Sequence, residues 1–265
     1  VKGTNCVFFN KELVNRAGIG NMYEIIDKGD WTLDFMLDAI KNSYVDVTGD
    51  GKTEDDTYGF LFDDARLIDA FWSAFDLTCV SRDSDNNPVL DIDIGKMNSV
   101  CDAIRALERD YRYVYCYDTV KKAEEGLVCE DLSLEKFAAD GTMFWLSNIY
   151  MTERKTMRNM ETEYGIIPLP KWDDAQEDYY SFNNTFAVYA IPGTNKNPAV
   201  ASAALEALAS DSYRYVAPVY YNRVLKGRYT TDIESSKMLD KIVETTTLDF
   251  GWIYDREISK IAEES

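Results

Sequence analysis

The sequence predicts an α/β fold, because short apolar runs that suit buried strands alternate with segments of helical periodicity. Hydrophobic residues make up 46% of the chain and charged residues 28%, which is typical of a protein that buries a core. No apolar run approaches the roughly 20 residues that a membrane-spanning helix needs. We therefore expect a globular chain of one or two domains over its 265 residues.

Strand and helix signals alternate in the first half of the chain. Residues 7–9 form a short apolar run that predicts a buried strand, and residues 11–17 have helical character that ends at two glycines. Thr32 is a suitable N-cap for a helix whose apolar residues follow it at helical spacing. Two further helices are predicted, over 68–75 by an apolar and aromatic run and over 97–107 by apolar residues at helical spacing.

The same alternation continues in the second half. The predicted strands are 142–146, 164–170 and 186–191, and the predicted helices are 134–138, 199–209 and 233–243. Proline stops the second of these strands, while Pro198 suits the first position of the alanine-rich helix that follows it.

Charge and composition exclude several classes of function. A formal net charge of −19 repels phosphate backbones and anionic lipids, so we expect no nucleic-acid partner and favour a neutral or cationic solute. Histidine is absent, which excludes Ser-His-Asp and Cys-His catalysis. Carboxylate chemistry stays open, and acidic pairs such as 63–64 and 173–174 allow a glycoside hydrolase as an alternative. The five cysteines form no CxxC pair, and a disulfide such as Cys116 with Cys129 is left open.

An acidic loop at 46–56 has part of the spacing of a calcium site. Oxygen-bearing side chains fall at positions one, three, five and nine of this segment, Gly51 occupies position six, and the Lys52 carbonyl stands at position seven. Thr57 takes position twelve, where the EF-hand pattern has glutamate, so one of the acidic residues at 54–56 would have to complete the ligand shell. The alternative is a solvated acidic turn.

The aromatic content favours a sugar ligand. The chain has 18 Tyr, 12 Phe and 5 Trp, and aromatic faces cover the apolar C–H face of a pyranose while amides and carboxylates bind its hydroxyls. Candidate rings lie beside polar side chains at 145–150, at 179–184 and at 252–255. The alternative for each ring is packing in the core.

Several segments, in the same order and spacing, resemble family 1 extracellular solute-binding proteins of ABC importers. They are 7–13 (VFFNKEL), 29–35 (GDWTLDF), 46–60, 164–176 (YGIIPLPKWDDAQ), 205–209, 218–221 and 236–240. The resemblance implies a class II periplasmic-binding-protein-like fold, of which this chain supplies mainly the second lobe and part of the first. By the same resemblance, most of the N-terminal lobe lies outside this sequence.

The resemblance also divides the chain. It implies an interlobe crossover strand at 1–11, a second α/β lobe at 12–181, a return segment of the first lobe at 182–212, and C-terminal helices near the hinge at 213–265.

The resemblance further implies positions for the ligands. The expected sugar contacts, including those suggested by polar neighbours of aromatic residues, are Tyr150, Trp145, Asn148, Arg66, Asn183, Tyr180, Trp252 and Tyr254. The expected ligands of a structural Ca²⁺ are Asp46, Thr48, Asp50, the Lys52 carbonyl, Glu54 and Asp55. Trp145 is the alternative to Tyr150 as the aromatic residue that stacks on the sugar.

Together these observations predict a binding protein and not an enzyme. We expect the substrate-binding component of an ABC importer, which captures a sugar or oligosaccharide by hinge closure and then docks on a membrane permease. The expected protein is a monomer outside the cell, as a cell-surface lipoprotein or in the periplasm. A non-transport binding or interaction lobe remains a further alternative. The start at Val1, without a signal peptide, suits a processed or trimmed chain.

Overall fold

The computed structural model describes residues 2–63, 69–109, 111–183, 189–229 and 232–247. Strands and helices alternate through these ranges, which confirms the α/β prediction. Among the helices of these ranges, none combines the length and apolarity that a bilayer crossing requires.

The strands and helices have the following bounds. The strands are β1 (Asn5–Asn10), β2 (Tyr58–Phe62), β3 (Val80–Arg82), β4 (Pro88–Leu90), β5 (Val114–Cys116), β6 (Thr142–Asn148), β7 (Tyr164–Ile167), β8 (Ser181–Phe182) and β9 (Thr246–Thr247). The first α-helices are α1 (Lys11–Arg16), α2 (Met22–Lys28), α3 (Leu33–Ile40), α4 (Ala70–Ala74), α5 (Ile94–Arg109), α6 (Thr119–Glu124) and α7 (Cys129–Ala138). The later ones are α8 (Lys155–Arg158), α9 (Pro198–Asp211), α10 (Ala217–Val219) and α11 (Ile233–Glu244). A 3₁₀ turn (Ile149–Glu153) and two π-helical segments (Ser212–Val216 and Tyr220–Tyr229) complete the set.

Five strands form the main sheet, in the order β5-β2-β6-β1-β7. β2 runs parallel to both β5 and β6, whereas β1 runs antiparallel to its neighbours β6 and β7. The carboxyl ends of β2, β5 and β6 and the amino end of β1 therefore lie at one edge of the sheet. We call this edge the carboxyl edge.

Side chains of β1 enter two cores, because successive residues of a strand point to opposite faces. Cys6 and Phe8 lie on one face with Trp145, where α7 and α11 pack over the sheet. Val7 and Phe9 lie on the other face, which α2, α3, α4 and α5 cover. Helices thus bury both faces of the sheet, as is typical of α/β folds.

Local capping explains where the first helices begin. Asn10 accepts a hydrogen bond from Leu13 N at 3.0 Å at the start of α1, and Asn21 accepts one from Tyr23 N at 3.0 Å at the start of α2. Thr32 accepts one from Phe35 N at 3.2 Å, so the predicted N-cap of α3 is confirmed.

The other predicted elements differ in their bounds. The helix predicted over 68–75 is α4, and the alanine-rich helix begins at Pro198 as predicted. Residues 186–188 of the strand predicted over 186–191 lie outside the described residues, and 189–191 are not in a strand. The sequence analysis did not predict α2, α6, β2, β5 or the β3–β4 hairpin. All five cysteines are thiols, so the disulfide alternative is not formed.

A polar cluster attaches α11 to the sheet. Asp232 caps α11 through Ser235 N, forms an ion pair with Lys11 and accepts a hydrogen bond from Tyr23 Oη at 3.0 Å. Ser235 Oγ lies 2.8 Å from the same hydroxyl and accepts a hydrogen bond from Ile166 N at 3.4 Å. Burial by itself would raise the pKa of the Asp232 carboxyl group. The hydrogen bonds from Lys11, Ser235 and Tyr23 and the positive charge of Lys11 outweigh burial, so this pKa lies below its usual value.

We expect Asp232→Ala to lower the free energy of unfolding by about 1–3 kcal/mol at pH 7, because it removes both a helix cap and a half-buried hydrogen-bond acceptor. Asp232→Asn keeps the cap and is expected to cost less. The pKa of Asp232 is lower in the folded protein than in the unfolded chain, where it is about 3.9. The charged carboxylate therefore stabilises the fold fully above about pH 3.9. This stabilisation is lost as the pH falls towards and through the lower pKa of the folded protein. Urea unfolding of wild type and Asp232→Asn should therefore differ at pH 7 and converge in acid; an equal gap at both pH values would contradict this.

Candidate functional site

Polar residues gather at the carboxyl edge of the main sheet. Asp63 directly follows β2, Asn148 ends β6, and Thr4 and Asn5 stand at the amino end of β1. Asn5 pairs with Asn148 across the two strands, and Thr4 pairs with Asn183 in a short bridge. In open α/β sheets, ligands bind in the crevice outside the carboxyl ends of parallel strands. The carboxyl edge is therefore the candidate site.

Buried polar atoms at this edge have no hydrogen-bond partner within the described ranges. They are Thr4 Oγ1, both amide atoms of Asn5, Ser147 Oγ, Asn148 Oδ1 and Ser181 Oγ. Thr4, Ser147 and Ser181 have no exposed surface, and Asn5 has 1%. A buried polar group left without a partner costs about 1–3 kcal/mol. These atoms have no open surface in this structure, so the amide side chains that a ligand could reach at this edge are the half-buried ones of Asn148 and Asn183.

Tyr150 lies next to these groups, in the 3₁₀ turn that follows β6. Its backbone N–H donates to the Lys2 carbonyl at 3.1 Å, and the preceding Ile149 N–H donates to the Thr4 carbonyl at 3.0 Å. The turn is thus tied to the segment that leads into β1, and the half-buried ring of Tyr150 is held at the carboxyl edge.

The surroundings of the Tyr150 hydroxyl favour its protonated form. Burial raises the pKa of Tyr150, and a hydrogen bond to Glu130 and the charges of Glu130 and Asp63 raise it further. Arg154 in turn donates to Glu130 Oε1 at 3.0 Å, which holds that carboxylate in place. The Tyr150 hydroxyl therefore stays protonated.

Trp145 lies in the core and not at the edge. Its side chain has no exposed surface, and its ring centroid lies 5.2 Å from that of Phe8 and 5.3 Å from that of Phe137. Because the side chain is fully buried beside these two rings, it has no surface left for a sugar in this structure. The structure therefore places Trp145 in the core, and Tyr150 is the aromatic residue of the pair that reaches the edge; a sugar contact of either ring stays a prediction.

The remaining predicted sugar contacts are not all in one place. Asn183 joins the carboxyl edge through its bridge to Thr4. Tyr180 lines a separate pocket together with Trp172. Three predicted contacts, Arg66, Trp252 and Tyr254, lie outside the described residues.

The acidic loop is closed by its own hydrogen bonds around Asp56. This fully buried carboxylate accepts bonds from Tyr44 Oη at 2.8 Å, Val47 N at 3.0 Å and Thr53 N at 2.8 Å. Burial raises the pKa of Asp56, but these bonds and the charge of Lys136 together lower it below its usual value. The sequence analysis treated Asp56 only as an alternative calcium ligand.

The expected calcium ligands are each engaged separately. Asp46 accepts bonds from two backbone amides, Gly49 N at 2.6 Å and Gly51 N at 3.2 Å. The Thr48 hydroxyl donates to Asp50. These contacts hold the first half of the loop in a tight turn. They do not connect the carboxylate of Asp46 to that of Asp50.

Lysines hold the second half of the loop. Glu54 forms an ion pair with Lys122 at 2.6 Å, and its carbonyl accepts a hydrogen bond from Lys136 at 2.6 Å. The Lys52 ammonium reaches the Tyr111 carbonyl at 3.2 Å. Over the part of the chain that the structure describes, no three Asp, Glu, Cys or His side chains are grouped to hold a metal ion. Calcium binding by these residues and Asp55 stays a prediction.

Sequence analysis missed several residues of the carboxyl edge. Thr4, Asn5 and Ser147 are polar residues within or beside apolar strand segments, and Asp63 is an acid directly after a strand. Polar residues at strand ends are a usable signal, because the carboxyl ends of parallel strands meet at one edge. That signal required β2 to be recognised as a strand parallel to β6.

Comparisons with known proteins agree with this architecture. No family model and no curated protein matches the chain. A Thermus thermophilus maltotriose-binding protein, bound with maltotriose, matches with a TM-score of 0.53 and 15% identity, over 93% of this chain and 59% of that one. A maltose/maltodextrin-binding domain from Bdellovibrio bacteriovorus, bound to maltotriose, matches with a TM-score of 0.55 and 15% identity, over 92% and 59%.

A third solved structure gives a similar match. An ABC substrate-binding protein from Listeria monocytogenes, in complex with cycloalternan, matches with a TM-score of 0.58 and 10% identity, over 97% of this chain and 62% of that one. The chain thus spans about three fifths of the length of the structures it matches. At these identities the likeness establishes the fold. The chain therefore has the class II periplasmic-binding-protein-like fold of ABC sugar-binding proteins, as the sequence predicted.

Proposed function

We propose that this chain belongs to the substrate-binding component of an ABC importer, which captures a sugar or oligosaccharide without altering it chemically. The observation that carries this proposal is the half-buried ring of Tyr150 beside the half-buried amides of Asn148 and Asn183 at the carboxyl edge of the sheet. An aromatic face covers the apolar side of a pyranose, while amides and hydroxyls exchange hydrogen bonds with its hydroxyl groups. Three solved structures of the same fold hold a saccharide, which supports this class of ligand.

The ligand would be enclosed between two lobes, of which this chain supplies one and part of the other. Residues 182–212 are proposed to be the return segment of the first lobe. In support, α9 has no buried residue in this chain, and its Val200 and Leu208 side chains are each 68% exposed. The first lobe would cover such an apolar surface, and hinge closure would then favour the ligand-bound state.

The proposed setting follows from this role. The protein would be a monomer outside the cytoplasmic membrane, in the periplasm or anchored as a lipoprotein, and its closed form would dock on the membrane permease. Calcium in the acidic loop, if bound there, would stabilise the second lobe and take no part in sugar recognition.

Calorimetry of the full-length protein that contains this chain tests the proposal, with maltotriose as the first probe. We expect one-to-one binding that Tyr150→Ala weakens about tenfold or more, which corresponds to about 1.4 kcal/mol. Tyr111→Ala is the matched control, because Tyr111 is also half-buried but precedes β5 at the opposite edge of the sheet. That variant should keep wild-type affinity.

Two results would count against the proposal. One is the absence of binding to maltotriose and to a panel of mono- and oligosaccharides by folded full-length protein. The other is hydrolysis of a chromogenic glycoside that disappears when a single Asp or Glu is replaced, which would support the hydrolase alternative.

A further inference from the structure

A second pocket lies apart from the carboxyl edge. It has a volume of about 510 Å³ and lies between the end of α4, the start of α5 and the segment 172–180. None of the polar edge residues described above lines it. Its volume suits a small molecule.

The wall of this pocket is fixed by a buried glutamine. Gln176 Nε2 donates to the Ala74 carbonyl at 2.9 Å and to the Asp178 carbonyl at 2.7 Å, while its Oε1 accepts from Trp172 N at 3.0 Å. Lys171 Nζ donates to the Gln176 carbonyl at 3.0 Å. The segment is thus tied to the end of α4 from inside, and a ligand would not need to order it.

Two half-buried aromatic rings line the pocket. Trp172 stands edge-on to Phe75, with ring centroids 5.2 Å apart and an interplanar angle of 66°. Burial raises the pKa of the second ring, Tyr180, and the charges of Asp76 and nearby acidic residues raise it further. Tyr180 therefore stays neutral, and both rings offer the electron-rich faces that attract cations.

Negative charge around these rings is not compensated. Asp76, Asp173 and Glu177 line the pocket, and within the described ranges no Lys or Arg forms an ion pair with any of them. The single cation of the lining, Lys96, donates to the backbone carbonyl of Asp76 at 3.3 Å and not to its carboxylate. The pocket thus combines three carboxylates with one ammonium group.

From this combination we propose that the pocket binds a small organic cation. Its ammonium or guanidinium group lies against Trp172 and Tyr180 and is neutralised by Asp76 and Glu177. A neutral saccharide would leave these charges uncompensated, and an anion would be repelled. None of the carboxyl-edge residues lines this pocket, so different substitutions test the two sites.

Calorimetry with agmatine, at about 0.15 M salt, tests this site in the full-length protein. That salt concentration screens the general attraction of a cation to a chain of net charge −19. We expect saturable one-to-one binding that Trp172→Leu weakens about three- to thirtyfold, because leucine keeps apolar bulk against Phe75 but removes the π face. Glu177→Gln should also weaken binding, whereas Glu161→Gln, which removes an equal charge elsewhere on the surface, should not.

Several results would overturn the assignment. Equal affinity of wild type and a folded Trp172→Leu variant would exclude the ring contact. Equal losses for Glu177→Gln and Glu161→Gln would indicate non-specific counterion binding. N-butylurea, a neutral analogue, binding as tightly as agmatine would exclude charge recognition. Maltotriose affinity should be unchanged in Trp172→Leu, so failure at one site is distinguishable from failure at the other.

Discussion

Trp145→Ala is expected to lower the free energy of unfolding by about 3–5 kcal/mol, which is the range for removing a large aromatic side chain from a core. The indole is fully buried, lies opposite Phe8 and Leu61 in the neighbouring strands, and packs against Phe137 of α7. Its loss would leave a cavity at the centre of the sheet that the surrounding strands cannot close. Urea unfolding, followed by circular dichroism, measures the change.

The conservative variant separates a core role from ligand contact. Trp145→Phe keeps an aromatic ring beside Phe8 and Phe137 and removes an indole N–H that is buried without a partner among the described residues. We expect it to cost much less than the alanine variant and to leave maltotriose affinity unchanged. A stable Trp145→Phe protein that has lost sugar binding would restore Trp145 as a ligand contact.

Gly59→Ala is expected to destabilise the fold by about 3 kcal/mol, the upper part of the usual range for overpacking. Gly59 lies in β2, and an added Cβ atom would stand 2.3 Å from Ser43 Oγ, 2.4 Å from Ile40 Cβ and 3.0 Å from the Ile40 carbonyl. Ser43 could rotate away, but the Ile40 atoms belong to the end of α3 and can move only with the helix. The substitution therefore separates α3 from the sheet.

Gly193→Ala is the matched control for this effect. No atom lies within 4 Å of the Cβ position at Gly193, and its backbone does not require a positive φ. The same methyl group should change the free energy of unfolding there by less than about 0.5 kcal/mol. Equal effects at the two glycines would contradict close packing of α3 on β2.

Local signals in the sequence predicted the secondary-structure elements, whereas the position of the candidate ligand site depends on how the strands are arranged in the sheet. Thr32 and Pro198 marked helix starts correctly, because capping depends only on neighbouring residues. The run of residues around Trp145 was correctly predicted as a strand, but its ring was placed in the ligand site. Periodicity shows which residues share a face of a strand and does not show which end of that face is open.

The acidic loop illustrates a second limit. Spacing identified the turn at 46–56 and the roles of its glycines, but Asp56 and the lysines that reach the loop from α6 and α7 could not be found from spacing. Their contacts join residues far apart in the sequence. The polar atoms of Asn5 and Ser147 were missed for the same reason, since their burial depends on which strands flank β1.

The place of β1 inside the sheet constrains how the protein can be made. β1 leaves the ribosome long before either neighbour, since Phe9 pairs with Phe144 of β6 and with Gly165 of β7. At a translation rate of about 5–20 residues per second, roughly 7–30 s pass between the synthesis of β1 and that of its partner strands. We therefore expect the main sheet to close only after synthesis has passed β7, so that the apolar side chains of β1 stay exposed to non-native contacts during that interval.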